Sequence, residues 1–416
     1  MAFRTGGHQA CAAALGHLLQ CQPPSDQEIS CPCGQHARYK EMRRKRVMTV
    51  VGPVEFARPY YLCPGCQKGH SPKDRELDIE GTGFSPGVRR MMAMTGSDSS
   101  FQHARGQLEV LAGLEVTTKA VERQAEAIGA DIAALEQAEM QRAQQLDLPV
   151  IIGPAVEVVY IEPDGTQLPM VKDETEGRAG RVEGQSARTR EVKLGCVFTQ
   201  TRVDEQGRPV RDEDSTTYVG AIETAEEFGR RLYVEAWKRG WSRAKKKVVI
   251  GDGAVWIWNL ADRYFPGAIQ IVDLYHAREH VWVLAAKLFP ADDRKRRRWG
   301  KRLQDKLDSG KIECLVAALR AHVSPDAKLT EALQIEADYF ERNAARMRYP
   351  AFRKQNLFVG SGVIEAGCKT VIGSRLKQSG MFWTVRGANA IIALRCNRVS
   401  GKFESYWESR LPLKAA

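Results

Sequence analysis

The sequence predicts an α/β protein: a sheet whose strands end in carboxylates, interrupted by a helical insertion and preceded by a small metal-stapled ribbon and a helical module. Three observations predict it. Short β-branched, apolar runs at 156–161, 248–250 and 268–272 have the composition of buried strands, and each leads into an acid. The stretch 254–265, with Val255, Trp256, Trp258, Leu260, Ala261 and Tyr264, follows a helical pattern and ends at Pro266-Gly267, so strand, helix and strand alternate. Two close cysteine pairs, Cys31-Pro32-Cys33 and Cys63-Pro64-Gly65-Cys66, bracket a hairpin-like stretch.

Residues 1–80 comprise an N-terminal segment and the ribbon. The Ala-Leu stretch 12–19 is broken by Gly16 and His17 and lacks a cleavage site, so it does not read as a signal peptide. Four thiolates at Cys31, Cys33, Cys63 and Cys66 suit one structural, tetrahedral Zn²⁺. The Cys-x-Cys spacing of the first pair departs from the usual knuckle, and His36 or His70 could replace a thiolate; reduced, unliganded thiols are the plain alternative. Between Cys31 and His70 lie eight cations and two acids, with Arg43, Arg44, Lys45 and Arg46 in one run beside Tyr60 and Tyr61. That density predicts a nucleic-acid contact, although a basic run is often only a solvated face.

Residues 81–148 predict a helical module for DNA binding or oligomerisation. Phe101, Ala104, Leu108 and Leu111 form one apolar face, 113–116 a turn, and Thr117 the cap of a second helix keeping Val121, Ala125, Ile128, Ile132 and Leu135 together. If this is a helix-turn-helix, Lys119 and Arg123 are the exposed positions that would reach DNA. Helical pairs without such a role are common.

Residues 149–276 carry the first part of the sheet. Glu162-Pro163-Asp164-Gly165 reads as a turn presenting Asp164 at a strand end. Strands near 192–199 and 216–219 flank a charged turn at 204–208, and a helix through Phe228, Leu232 and Trp237 leads to the strand ending in Asp252. Asp273-Leu274-Tyr275-His276 follows the next strand. Residues 277–358 are helical and charged, including Arg294-Lys295-Arg296-Arg297-Arg298. Residues 359–416 return to the core, with Glu365 opening a helix and Lys369 four residues on. Taken singly, Asp-Gly is a turn dipeptide and Glu365 a solvated helix residue. Their combination is what carries weight.

Glu162-Pro163-Asp164-Gly165-Thr166, Ile250-Gly251-Asp252-Gly253-Ala254 with Trp256 and Trp258, Asp273-Leu274-Tyr275-His276, and Gly360-Ser361-Gly362-Val363-Ile364-Glu365 together resemble the Kra group of bacterial insertion-sequence transposases, related to the Mutator superfamily. The similarity runs from about Val156 to Arg395 and includes Arg375-Leu376-Lys377 and Gly380-Met381-Phe382-Trp383. It implies an RNase H-like core with 277–358 as a helical insertion. It also implies a DDE triad of Asp164, Asp252 and Glu365 holding two Mg²⁺ (or Mn²⁺) ions, with Asp273 and His276 as accessory residues and Lys369 near DNA. The implied activity is binding of an element's terminal repeats, strand cleavage and transfer into target DNA by a homo-oligomer, a dimer or higher, in the bacterial cytoplasm at the nucleoid. The chemistry fits the residue types. In-line attack on a phosphodiester is served by two ions about 3.5 to 4 Å apart, and Mg²⁺ prefers carboxylate oxygens.

The chain has 62 Lys and Arg against 51 Asp and Glu, a formal charge of +11, which favours phosphate backbones without specifying sequence. No apolar run reaches membrane-spanning length. An RNase H-like nuclease or resolvase would use the same acids but release hydrolysed ends. A non-enzymatic regulator would use ribbon and helices and neglect the acids. A phosphatase-like hydrolase built on Asp252 and Asp273 would not need Glu365 or the ribbon.

Overall fold

The computed structural model describes residues 2–151, 155–180 and 187–410, and the chain packs as two units, one of Met1–Ala130 with Lys402–Ala416 and one of Asp131–Gly401. In the first unit, helix α1 (Ala2–Leu18) precedes four antiparallel strands in sequential order: β1 (Glu28–Ser30), β2 (His36–Thr49), β3 (Gly52–Leu62) and β4 (Gly69–His70). Strands β2 and β3 form a long hairpin closed between Thr49 and Gly52, where Gly52 takes φ +105°, a conformation that suits glycine. Val47, Val54 and Phe56 point inward and are covered by Ile79 and by Ala12 and Leu15 of α1. Thus the N-terminal Ala-Leu stretch is an amphipathic cover for the ribbon.

Helix α2 (Pro72–Glu76) contributes Asp74, which is buried and accepts two bonds from the Arg58 guanidinium (2.9 and 3.0 Å) and one from Lys45 Nζ (3.0 Å). Burying three charges together is tolerable because each finds a partner. Helix α3 (Pro86–Asp98), capped by Ser85, packs Val88 and Met92 against Ala104 and Leu108 of α4 (Phe101–Gln107) and its continuation, and against Val121 of α5 (Thr118–Gln144). After α4 the backbone continues as a π-turn over Leu108–Ala112 and stops at Gly113, φ +67°. Leu111, expected on the apolar face, is 74% exposed, because the wider π-turn carries it off the row of Ala104 and Leu108. Val121, Ala125, Ile128 and Ile132 are buried as expected, whereas Leu135 is 52% exposed.

The second unit holds a five-stranded mixed sheet. Strands β5 (Val158–Pro169), β6 (Thr189–Gln200) and β9 (Thr217–Ala221) form an antiparallel meander, with the short hairpin β7 (Arg202–Val203) and β8 (Pro209–Val210) hanging from it. After α6 (Ala225–Lys238), β10 (Lys246–Gly251) pairs parallel to β5; after α7 (Val255–Tyr264), β11 (Ile269–Val272) pairs parallel to β10. The order is β11-β10-β5-β6-β9. One reading needs correction: Glu162 to Gly165 is not a turn, since β5 runs through it, with Asp164 opposite Leu194 of β6. Pro163 is tolerated there because the described pairing with β10 ends at Ile161, leaving that side of β5 as an edge where no N–H is required.

Helices α8 (Leu274–Leu288), α9 (Asp293–Asp308), α10 (Ile312–Arg320), α11 (Ala327–Arg342) and α12 (Tyr349–Arg353) follow. The chain then passes through α13 (Gly362–Gly367), a π-turn at Cys368–Gly373 and α14 (Ser374–Leu376) to α15 (Val385–Val399), which packs on β9. The last helix, α16 (Phe403–Arg410), belongs to the first unit: Arg410 pairs with Asp78 (3.0 Å) and Glu404 with Arg90 (2.5 Å). The expected final segment 359–416 ends in residues 411–416, outside the described residues.

Candidate functional site

The ribbon brings its four cysteines together. Their ligand atoms all lie within 4.8 Å of one another, with Sγ–Sγ separations of 3.5 Å for Cys31 and Cys66, 3.4 Å for Cys31 and Cys33, and 3.6 Å for Cys33 and Cys63. A tetrahedron of Zn–S bonds near 2.3 Å has edges of about 3.8 Å. The three close separations lie near that edge, so the four thiols are a set that could hold one zinc. His70 Nε2 lies 3.2 Å from Cys31 Sγ, beside a complete set of four thiols, and His36 is exposed. The backbone N–H of Cys66, aided by that of Gly65 and opposed by burial, lowers the Cys63 thiol to about 7, whereas the backbone N–H of Cys33 is outweighed at Cys31, where burial and the crowding thiols Cys33, Cys66 and Cys63 push the thiol up to about 12.

Of the cations expected beside it, Arg44 and Arg46 are exposed, Arg44 with a Glu55 partner at 3.2 Å. The Arg43 guanidinium carbon sits 3.5 Å above the Tyr60 ring centroid, and the side chain donates to Glu41. Lys45 is engaged elsewhere, on Asp74 and on the Ile79 carbonyl (2.7 Å), so it serves the fold. Lys119 and Arg123 are exposed near the start of α5, Lys119 paired with Glu122 at 2.5 Å.

In the second unit the sheet carries the acids towards one end of neighbouring strands. Val248 and Val249 stand opposite Tyr160 and Ile161, where the described parallel pairing ends; Asp252 and Asp164 each follow three residues later, and the Asp252 charge bears on the Asp164 carboxyl. Gly251 stands opposite Val272, so one further step brings Asp273 beside Asp252. Asp164 thus lies within β5, whereas Asp252 and Asp273 follow the ends of β10 and β11, the Asp273 N–H donating to the Gly251 carbonyl (2.7 Å). Their surroundings separate their roles. Asp164 is half-buried; its carboxyl is pushed up by burial and by the charge of Asp252, against hydrogen bonds from Cys368 Sγ (3.2 Å) and the Gly165 N–H. Asp252 accepts from the Ala254 N–H at 2.8 Å, and its carbonyl accepts from Tyr339 Oη at 2.9 Å.

Asp273 is buried and its oxygens are occupied. Oδ1 accepts from the His276 N–H (2.6 Å), capping α8, and Oδ2 accepts from the backbone N–H and the hydroxyl (2.7 Å) of Ser361. Beside it, Glu162 Oε2 accepts from the Ile364 N–H (2.9 Å), while its other oxygen has no partner among the described residues. Burial, reinforced by the Asp273 charge, raises Glu162 to about 8 against that N–H. These two buried carboxyl groups hold the start of α13 through hydrogen bonds from Ser361 and Ile364.

Glu365 is exposed on that short helix, one turn before Cys368, whose thiol donates to Asp164. Lys369, also exposed, falls within the π-turn, so the straight-helix relation to Glu365 is not kept. Asp164, Asp252 and Glu365 do not close to ligand spacing; among the described residues only the four cysteines do. Glu365 instead borders an open cleft of about 970 Å³ with Tyr275, Gly360 and Arg208.

His276 belongs to a chain that the sequence reading missed. His276 Nε2 lies 3.2 Å from His280 Nε2, and His280 Nδ1 lies 2.8 Å from Glu336 Oε2 while its ring stacks on Tyr339 at 4.2 Å. The signal was available for His280, one helical turn after His276, but Glu336 and Tyr339 lie on a different helix. Glu162, a carboxylate at the end of the apolar run Val158-Val159-Tyr160-Ile161, was also legible. Cys368 touches Asp164, and Cys314 is exposed.

Residues 33–410 match the profile described as Uncharacterised protein family (UPF0236). The chain belongs to UPF0236. A UPF0236 protein encoded in the vanSb 3′ region of Streptococcus gallolyticus is 23% identical over 410 residues, covering 95% of this chain and 82% of that protein. The Drosophila P element transposase strand transfer complex aligns over 82% of this chain and 87% of that one at 8% identity, with a TM-score of 0.27, too low to bear on fold or activity. Within this UPF0236 chain no helix among the described residues is long and apolar enough to cross a membrane.

Proposed function

We propose that this protein is a DNA transposase of the DDE type, resembling the Kra group, with an RNase H-like core in which Asp164, Asp252 and Glu365 form the catalytic triad. The observation that carries the reading is that Asp164 and Asp252 each follow three residues after the last parallel pair of β5 and β10, near enough for the Asp252 charge to bear on Asp164, while the segment bearing Glu365 is tied to the same region through Ser361, Ile364 and Cys368. The central position of β5 and β10 in a mixed five-stranded sheet supports an RNase H-like core. Hard carboxylate donors suit Mg²⁺ or Mn²⁺, and a pair of such ions would supply charge neutralisation at the attacking and leaving oxygens. The residues' own contributions are then distinct. Asp273 and Glu162 hold the helix bearing Glu365; His280 and Glu336 orient His276 at the rim of the site.

On this reading the zinc ribbon and the exposed face of α5 bind DNA, and Lys369 contacts the strand near Glu365. The test supplies purified protein, Mg²⁺ and a labelled duplex ending in the inverted repeats that flank the gene. Joined end–target products are expected. Hydrolysed ends without joining would turn the reading toward a nuclease or resolvase. Binding with neither reaction would turn it toward a regulator.

A further inference from the structure

Helix α9 opens on five consecutive cations, Arg294 to Arg298, and continues with Lys301 and Arg302. Its inner face accounts for its attachment: Trp299, Leu303 and Leu307 are buried. Trp282 of α8 packs against Gly300 and donates its indole N–H to Gln304 (2.8 Å). Arg278 grips Asp308 with two bonds (2.9 and 2.8 Å). None of this uses the outer face.

There the cations divide into two sets. Arg296 and Arg297 pair with Asp293, Lys295 with Asp292 and Lys301 with Asp305. Arg294, Arg298 and Arg302, all exposed, have no carboxylate partner within 4.0 Å among the described residues. They follow one another at four-residue steps, about 6 Å along the axis. Local electrostatics argues against such a row, because cations in the first turn oppose the helix dipole and like charges at i,i+4 repel. A row that costs the isolated helix stability, on a face with no packing duty, points to an external anion.

We propose that Arg294, Arg298 and Arg302 form a second phosphate-contacting surface, which grips the backbone of duplex DNA without reading its sequence. It rests on the nucleic-acid reading above and adds a contact in the helical insertion to those of the ribbon. Guanidinium forks suit phosphate oxygens. A lipid surface fits less well, since amphipathic membrane helices add large apolar residues beside their cations, and α9 exposes none.

The test is binding of the full chain to a random-sequence duplex across a salt series. It compares wild type, the triple variant Arg294→Gln/Arg298→Gln/Arg302→Gln, and a charge-matched control, Arg320→Gln/Lys328→Gln/Arg342→Gln, on the neighbouring helices. The triple variant should bind at least tenfold more weakly at 0.1 M salt (order of magnitude) and lose up to ~0.9 from the salt slope per contact removed. Its melting temperature should hold or rise, because repulsion is relieved. The control should change little. Equal weakening in both variants would reduce the effect to net charge and overturn the proposal, as would wild-type affinity in the triple variant, or polyglutamate competing as well as DNA. End joining by a triple variant that binds like wild type would sink the row and leave the transposase reading intact. Loss of duplex affinity in a protein without metal-dependent cleavage would do the reverse.

Discussion

Glu162 has a raised folded-state pKa, about 8 against an ordinary 4.5, caused first by burial and then by the neighbouring Asp273 charge. Its contribution to stability is therefore fully present below about 4.5 and lost as pH rises through about 8, because the folded state holds the proton that the unfolded state releases. The melting temperature should fall between about pH 4.5 and pH 8, and Glu162→Gln should flatten that fall; an equally steep fall in the variant would assign it to other groups. The triad is tested at the same scale. Asp164→Asn, Asp252→Asn and Glu365→Gln should each reduce metal-dependent strand cleavage by at least ~100-fold, the order seen when one group that stabilises a transition state is removed. DNA affinity should stay within a few-fold, since it comes mainly from cations elsewhere. Near-normal cleavage by one variant would remove that residue from the triad.

Among elements, the ribbon separates structural from binding cations. Lys45 shares Asp74 with Arg58, so Lys45→Gln should lower stability by about 1 to 3 kcal/mol, as expected for a buried ionic network left incomplete. Arg44→Gln and Arg46→Gln should leave the melting curve within about 0.5 kcal/mol and flatten the salt dependence of DNA binding. Urea titrations beside binding isotherms distinguish the two classes; a stability loss shared by all three would refute the division. On α5, Lys119→Ala and Arg123→Ala should erode preference for element ends over scrambled duplex, as expected of a helix in the major groove. Undiminished preference would leave the helix pair a packing device.

For the whole molecule, the four-cysteine cluster lies in the unit Met1–Ala130 with Lys402–Ala416, and the sheet acids lie in Asp131–Gly401. Metal analysis should find about one Zn²⁺ per chain, lost in Cys63→Ser/Cys66→Ser, because two thiolates do not make a structural tetrahedral site. A strong chelator should lower one calorimetric transition and leave the other in place. A single transition that moves as a whole would show the two units unfolding together.

The sequence by itself determined the alternation of strands and helices, the four zinc-ligand candidates and the acids worth testing, because apolar periodicity, turn residues and cysteine spacing are local properties. That Asp252 comes near Asp164 was decided by strand pairing, which joins residues far apart in the chain and leaves no local trace. Tertiary packing likewise decided that Asp164 sits inside a strand, since Pro163 meets an edge no local pattern reveals. The π-turns at 108–112 and 368–373 broke the expected helical rows at Leu111 and Lys369, because a changed residue-per-turn count cannot be read from hydrophobic spacing. Lys45 was indistinguishable from its cationic neighbours until folding placed Asp74 against it, and His280 acquired its partner only where α11 crosses α8. Composition chooses which side chains can do chemistry; the long-range contacts that bury, pair or expose them choose which ones are left to do it.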